Sequence, residues 1–217
     1  LFVQDEWRIN NNWLLSLGLR QDDATASNST RSPRLGLIWQ PDRVWTAKLL
    51  AGCAYRSANA YESQFSDGLD YLSNPGLQPE TIHTTEGVLE WLSSEQTRWQ
   101  LSLYDNRLNN LIQQVDTGGV GTGPFQYQNS GWLRVQGLEL GLEKITASDL
   151  KLRASISGSH ALNALGSAQD NSPGWTAKTS VSAPVFGQSA YLAADIQAIG
   201  RRSYTWGAAP YRVGSEV

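Results

Sequence analysis

Apolar and polar residues alternate along nearly the whole chain. In WLLSLGLR (13–20), Trp13, Leu15, Leu17 and Leu19 share one parity, and Ser16, Gly18 and Arg20 take the other. RLGLIWQ sets Leu35, Leu37 and Trp39 against Arg34, Gly36 and Gln40. WTAKLLAGCAYR sets Trp45, Ala47, Leu49, Ala51, Cys53 and Tyr55 against Lys48 and Arg56. The rule returns with Trp99, Leu101 and Leu103, and again with Leu150, Leu152, Ala154 and Ile156. A period of two puts successive side chains on opposite faces of a strand. About ten runs of this kind, with the start of an eleventh near Tyr211, predict an all-β chain of two-faced strands.

The connections carry more information than the runs. Short ones fall near 10–12, 41–43, 93–96, 146–149 and 186–189, and long ones near 22–32, 57–80, 116–126, 162–173 and 200–210. Short and long alternate strictly, so an up-and-down antiparallel sheet would carry every long loop at one end. That is the habit of outer-membrane barrels, whose turns are short on the periplasmic side and whose loops are long outside. No run of about 18 apolar residues exists to form a membrane helix. A barrel needs none, because closed strands pair every backbone group with only half the side chains apolar. Trp7, Trp13, Trp39, Trp45, Trp91 and Trp99 lie beside the first three short turns, on the apolar parity. Indole rings favour the membrane–water boundary, so these six predict an inner aromatic girdle. On the other parity Arg20, Arg34, Lys48, Glu86, Glu90, Arg98, Lys151, Arg153, Lys178 and Asp195 would line a lumen; Asp5 breaks the pattern. In WLRVQGLELGLE the apolar parity also slips at Gln136–Gly137. Either a β-bulge absorbs the slip, or the strand rises beyond the membrane above Gly137.

Composition removes other function classes. Net charge is −3 with no basic cluster, which argues against a nucleic-acid partner. The lone Cys53 can form no internal disulfide or metal knuckle. His83 and His160 stand in no metal or catalytic spacing, and GGVGTG (118–123) lacks the Lys-Ser/Thr of a phosphate loop. No catalytic residue, metal site or cofactor is expected, and the chain reads as no enzyme. It contains no methionine and begins at Leu1, so a fragment of a longer protein is expected.

Five segments, in order, resemble the barrel of the TonB-dependent outer-membrane receptors: FVQDEWRI…WLLSLGLRQD; SPRLGLIWQP with AYRSANAYE; NPGLQPETIHTTEGVLE; YQNSGWLRVQGLELGLE; and NSPGWTAKTSVSAPV. The residues that carry the resemblance in the two most characteristic segments are Asn74, Pro75, Leu77, Pro79, Glu80 and Glu86, and Asn129, Gly131, Arg134, Gly137 and Glu139. Ser57-Ala58 departs from the family's Arg-x-Pro context. The resemblance implies a C-terminal part of a barrel of about twenty-two strands. Residues 1–217 would be one partial domain, an open curved sheet in isolation, with the plug, early strands and last strands elsewhere. It implies TonB-energised uptake of a scarce large nutrient, foremost an iron–siderophore complex, with cobalamin, haem or a glycan as other cargoes. The partners would be the TonB complex, through an N-terminal region outside this sequence, and outer-membrane lipid. The long loops would be extracellular and the short turns periplasmic. A passive porin, or a soluble all-β ligand-binding module, is the alternative.

Two further expectations concern the loop end. In NPGLQPET, Pro75 and Pro79 fix φ and Gly76 allows a conformation others resist, so the segment would be a stiff corner re-entering the sheet. Ligand contacts are expected from Arg56, Asn59, Tyr61, Tyr127 and Arg134, which combine loop or lumen placement with hydrogen-bonding or stacking groups.

Overall fold

The computed structural model describes residues 1–24, 27–119, 121–187, 189–206 and 209–215. Ten strands make one sheet: β1 (Phe2–Asn10), β2 (Trp13–Ala24), β3 (Ser27–Trp39), β4 (Trp45–Arg56), β6 (Glu80–Ser94), β7 (Thr97–Asn109), β10 (Trp132–Ile145), β11 (Lys151–Asn163), β12 (Trp175–Val185) and β13 (Ala190–Ile199). They lie in chain order and every pairing between them is antiparallel. The loop end adds a helix α1 (Ala60–Gln64), a three-stranded sheet of β5 (Tyr71–Leu72), β9 (Phe125–Asn129) and β8 (Ile112–Asp116), and a hairpin of β14 (Arg202–Trp206) with β15 (Ala209–Val213).

Short turns are closed by side chains that mimic backbone. Asn10 Oδ1 accepts the N–H groups of Asn12 (2.9 Å) and Trp13 (3.0 Å), and Asp42 Oδ1 accepts those of Val44 (2.7 Å) and Trp45 (2.8 Å). Asn and Asp favour such turns for this reason. All short turns fall at one end of the sheet and the elaborated loops at the other.

Register puts the alternating residues where parity predicts. Trp13 faces Trp39, Trp45 faces Trp91 and Trp91 faces Trp99. Trp7 lies opposite Leu15, on the face of Trp13. All six tryptophans therefore share one face near the short turns, with Trp45 and Trp91 stacked at 5.6 Å and Trp13 and Trp39 in tilted contact at 6.1 Å. The opposite face collects the charges and is the hollow one, with a depression bounded by Arg98, Gln100, Glu139, Arg153, Lys178 and Asp195. Charges there neutralise one another across strands: Glu90 receives Lys48 at 2.6 Å and Arg98 at 2.8 Å. Few side chains are buried within such a wall, Val88 and Ala161 among them.

Several expectations change. No bulge exists at Gln136–Gly137, since β10 pairs in unbroken register with both β7 and β11. Above Gly137 the two faces cease to be apolar and polar, with Gln136 and Arg134 on the outward one and Val135 and Leu133 on the hollow one. Gly137 itself is required by packing. A Cβ there would overlap Tyr104 Oη and lie 2.7 Å from the Gly158 carbonyl oxygen. The connection at 22–32 is mostly paired strand, reaching Ala24 opposite Ser27. Loop 57–80 contains a helix, and β5 and β9 are parallel. Gly76 is not among the residues with positive φ, whereas Gly131 is, at φ 76°. The strand at Tyr211 pairs with β14 and not with the wall, so among the described residues the sheet ends at β13. β1 at the other end does not pair with it, as expected of an open sheet.

Candidate functional site at the loop end

The NPGLQPET corner is one half of a latch between two long loops. Asn129 Oδ1 accepts the Gln78 N–H at 2.7 Å, and Asn129 Nδ2 donates to the carbonyls of Gln78 and Asn110, each at 2.8 Å. Asn74 Nδ2 donates to the Tyr127 carbonyl at 2.8 Å, and Gln126 Nε2 to that of Ser73 at 3.0 Å. Leu77 is buried beneath this seam. A side-chain amide offers donors and an acceptor together, so one Asn can satisfy backbone from two segments. The motif residues Asn74, Leu77 and Asn129 thus hold loops 57–80 and 110–131 as one body. Pro75 and Pro79 flank the buried Leu77, and β6 begins directly after Pro79.

Glu80 and Arg56 continue the seam. Glu80 Oε1 accepts the Ile112 N–H at 2.7 Å, and its Oε2 accepts Arg56 Nε at 2.7 Å. Arg56 Nη1 also reaches both oxygens of Glu62, at 3.0 and 2.9 Å. Two carboxylates therefore neutralise Arg56, which anchors the loop and leaves little charge for a ligand. Asn59 is occupied as well. It caps α1, its Oδ1 accepting the Glu62 N–H at 2.8 Å while Glu62 accepts the Asn59 N–H at 2.8 Å. This capping box holds a helix of five residues that would be marginal alone. Burial pushes the Glu62 carboxyl up, but Arg56 and the Asn59 N–H together hold it below the usual glutamate range. At the loop tip Asp67 is likewise lowered, by the N–H groups of Leu69, Tyr71 and Asp70 that it accepts.

Tyr61 and Tyr127, from different loops, meet edge to face at 6.1 Å. Tyr61 stacks on Phe65 at 4.6 Å, Phe65 lies 5.7 Å from Tyr71, and Tyr71 lies 6.0 Å from Phe125. Tyr61 remains 50% exposed and Phe65 39%, while Tyr71, Phe125 and Tyr127 are half-buried, so the row is open to solvent at its Tyr61–Phe65 end. Sequence reasoning misses Phe65, Tyr71, Phe125 and Glu62. Only Glu62 leaves a local trace, in the N-x-x-E spacing of a capping box. The rings converge only once the latch forms.

Arg134 is not with them. It lies opposite Arg107 on the outward parity, the face of Leu138, Leu140 and Leu142, and engages Asp105. The expectation of a lumen or loop position fails because Arg134 is even-numbered on a strand whose register does not slip. Glu139 and Glu86 do point to the hollow face, Glu139 opposite Ser102 and Glu86 opposite Tyr104. Of the five proposed contacts the structure joins Tyr61 with Tyr127 and Arg56 with Asn59 through Glu62, and separates Arg134.

Comparison with known proteins gives this architecture a family. The description "TonB dependent receptor-like, beta-barrel" matches residues 1–215. An iron-regulated outer membrane virulence protein of Vibrio cholerae is 29% identical over 119 residues, 52% of this chain and 18% of that protein. The vitamin B12 transporter BtuB of Vibrio cholerae is 30% identical over 145 residues, 66% of this chain and 21% of that protein. This chain thus matches about a fifth of the length of these relatives. Among solved structures, the siderophore receptor PirA from Acinetobacter baumannii superposes with a TM-score of 0.83 at 16% identity, covering 99% of this chain and 37% of that one. A ferric enterobactin receptor (PfeA) mutant from Pseudomonas aeruginosa gives 0.75 at 20% identity, with 99% and 35% covered. The chain belongs to the TonB-dependent receptor β-barrel family of the Gram-negative outer membrane.

Proposed function

We propose that the chain is part of the wall and outer loops of a receptor for TonB-energised uptake of an iron–siderophore complex. In this reading residues 1–217 are one partial barrel domain. The plug that gates the lumen and the segment that meets the TonB complex belong to the remainder of a longer polypeptide, in keeping with the share of its relatives that the chain matches. The six tryptophans serve as the periplasmic-side girdle, and the latched loops face the cell exterior. The protein binds and moves its cargo without altering it chemically. The observation that carries the cargo reading is the aromatic row from Tyr61 to Phe125 across two latched loops, with Tyr61 and Phe65 exposed and Tyr71, Phe125 and Tyr127 half-buried. Such rings stack on planar aromatic groups of a ligand, which catecholate siderophores supply. Arg56 and Asn59 position this surface, and Tyr61 and Tyr127 touch the ligand.

Uptake of a labelled ferric catecholate by cells carrying the full-length receptor tests this. Transport should stop when a protonophore collapses the proton gradient. Persistence at an undiminished rate would indicate a passive porin. Tyr61→Ala with Tyr127→Ala should weaken binding about three- to tenfold, the worth of one aromatic pair; unchanged affinity would remove these two as contacts. Cobalamin is the second reading, favoured by the 145-residue match to a vitamin B12 transporter. Labelled cobalamin in the same assay separates the two.

A further inference from the structure

On the outward face the apolar band ends unevenly. Up β7, Trp99, Leu101 and Leu103 give way to Asp105 and Arg107; on β10, Leu142, Leu140 and Leu138 give way to Gln136 and Arg134. Register gathers these into one patch. Gln136 faces Asp105, Arg134 faces Arg107, and His83 faces Arg107 from β6. Asp105 organises it: Arg134 Nε donates to both carboxylate oxygens at 3.2 and 3.1 Å, Gln136 Nε2 donates at 2.9 Å, and Arg107 Nε stands 3.5 Å away. Two guanidiniums against one carboxylate leave an excess positive charge. A guanidinium carries five N–H donors, and Asp105 engages only the Nε–Nη2 edge of Arg134. The Arg107 side chain is 63% exposed and that of Arg134 38%.

Height decides what the patch meets. Eight residues separate Trp99 from Arg107, about 27 Å of strand and roughly 20 Å along the membrane normal at a tilt of about 40°, against an apolar band of about 25 Å. The guanidiniums therefore sit at the outer edge of the band, where long basic side chains reach headgroups. Beside them the wall opens. The β3–β4 ladder stops at Arg34–Gly52 while β4 runs on to Arg56. The resulting depression is lined by Arg31, Pro33, Leu35, Cys53, His83 and Thr85. Its apolar floor suits an acyl chain, and His83 joins it to the charged patch.

We propose that Arg107 and Arg134, oriented by Asp105, bind the phosphate of an anionic lipid in the outer leaflet. The patch faces lipid and not the lumen, so this site is independent of cargo. The inference rests on the barrel's place in the membrane and not on the uptake reading. Native mass spectrometry of the full-length receptor, released from nanodiscs of phosphatidylcholine with phosphatidylglycerol as the anionic probe, tests it. The wild type should retain phosphatidylglycerol in preference to phosphatidylcholine. Arg107→Gln with Arg134→Gln should lower that retention at least about tenfold, since each arginine near an anionic surface contributes about fivefold. Equal retention by variant and wild type would overturn the proposal. So would displacement of the lipid by millimolar inorganic phosphate, which would mark a general anion site. Should Arg134→Gln fail to assemble, Arg107→Gln alone decides, because Arg107 is the more exposed and the more loosely held. It should cost about fivefold, and no change would sink the idea.

Discussion

At Gly137 a single hydrogen atom is what the wall tolerates. Tyr104 lies across the position from β7 and the Gly158 carbonyl closes it from β11. Gly137→Ala should destabilise the barrel by about 1–3 kcal/mol, the usual cost of forcing a methyl into packed space. Urea unfolding in lipid vesicles would measure it. Adding Tyr104→Ala should recover only part, because the backbone carbonyl stays at 2.7 Å. Glu62 makes the corresponding point about charge. Its carboxyl is held below its ordinary value by Arg56 and the Asn59 N–H against the opposing effect of burial. A depressed carboxylate stabilises the fold above its unfolded pKa and loses that contribution as pH falls through the folded value. Protection of α1 amides from hydrogen exchange should therefore hold at neutral pH and fall in acid below the ordinary glutamate range, and Glu62→Gln should show the weakened state at neutral pH.

Among the elements, the loop latch joins two long loops through side-chain hydrogen bonds outside the ladders of the wall. Asn129 satisfies backbone groups of Gln78 and Asn110. Asn129→Ala leaves those groups without this partner and should cost about 1–3 kcal/mol locally. Cleavage of residues 57–80 by added protease should rise in intact cells, while the heat-resistant mobility of the barrel on gels stays the same. A barrel that unfolds with the loops would refute the view that they form a separable body. The strands behave otherwise: β7 and β10 share a ladder running from Trp132–Asn109 to Lys144–Thr97, so no single side chain decides their pairing.

Across the molecule, one face should meet lipid and the other water. Spin labels placed one at a time along β7, on a Cys53→Ser background, should alternate. Labels at Trp99, Leu101 and Leu103 should be reached by oxygen dissolved in the bilayer, and labels at Arg98, Gln100 and Ser102 should not. Loss of the alternation would sink the barrel wall itself. The tryptophan belt adds a boundary to this picture, because the stacked pair Trp45–Trp91 and the tilted pair Trp13–Trp39 both lie near the short turns. Asp105 breaks the apolar face above Leu103, and Gln136 opposite it on β10 continues the break.

What the sequence determined by itself is everything that repeats with period two. Which side chains share a face, that the strands are antiparallel neighbours in chain order, and that the six tryptophans gather at one end all follow from parity and loop length. Those are local quantities, set by a backbone that turns each side chain opposite to the last. The charge-lined hollow was legible in the same way. The loop end was not. Asn129 and Gln78 are 51 residues apart and Asn74 and Tyr127 are 53 apart, and no spacing encodes which of two long loops folds against the other. Arg56 and Asn59 look available as ligand contacts until Glu62 and Glu80 close on them. Arg134, part of a motif beside a loop, falls on the outward face because an unbroken ladder carries its parity up from Leu138. Side-chain partnership between distant segments is decided by the closed chain, where burial and hydrogen-bond satisfaction select one arrangement.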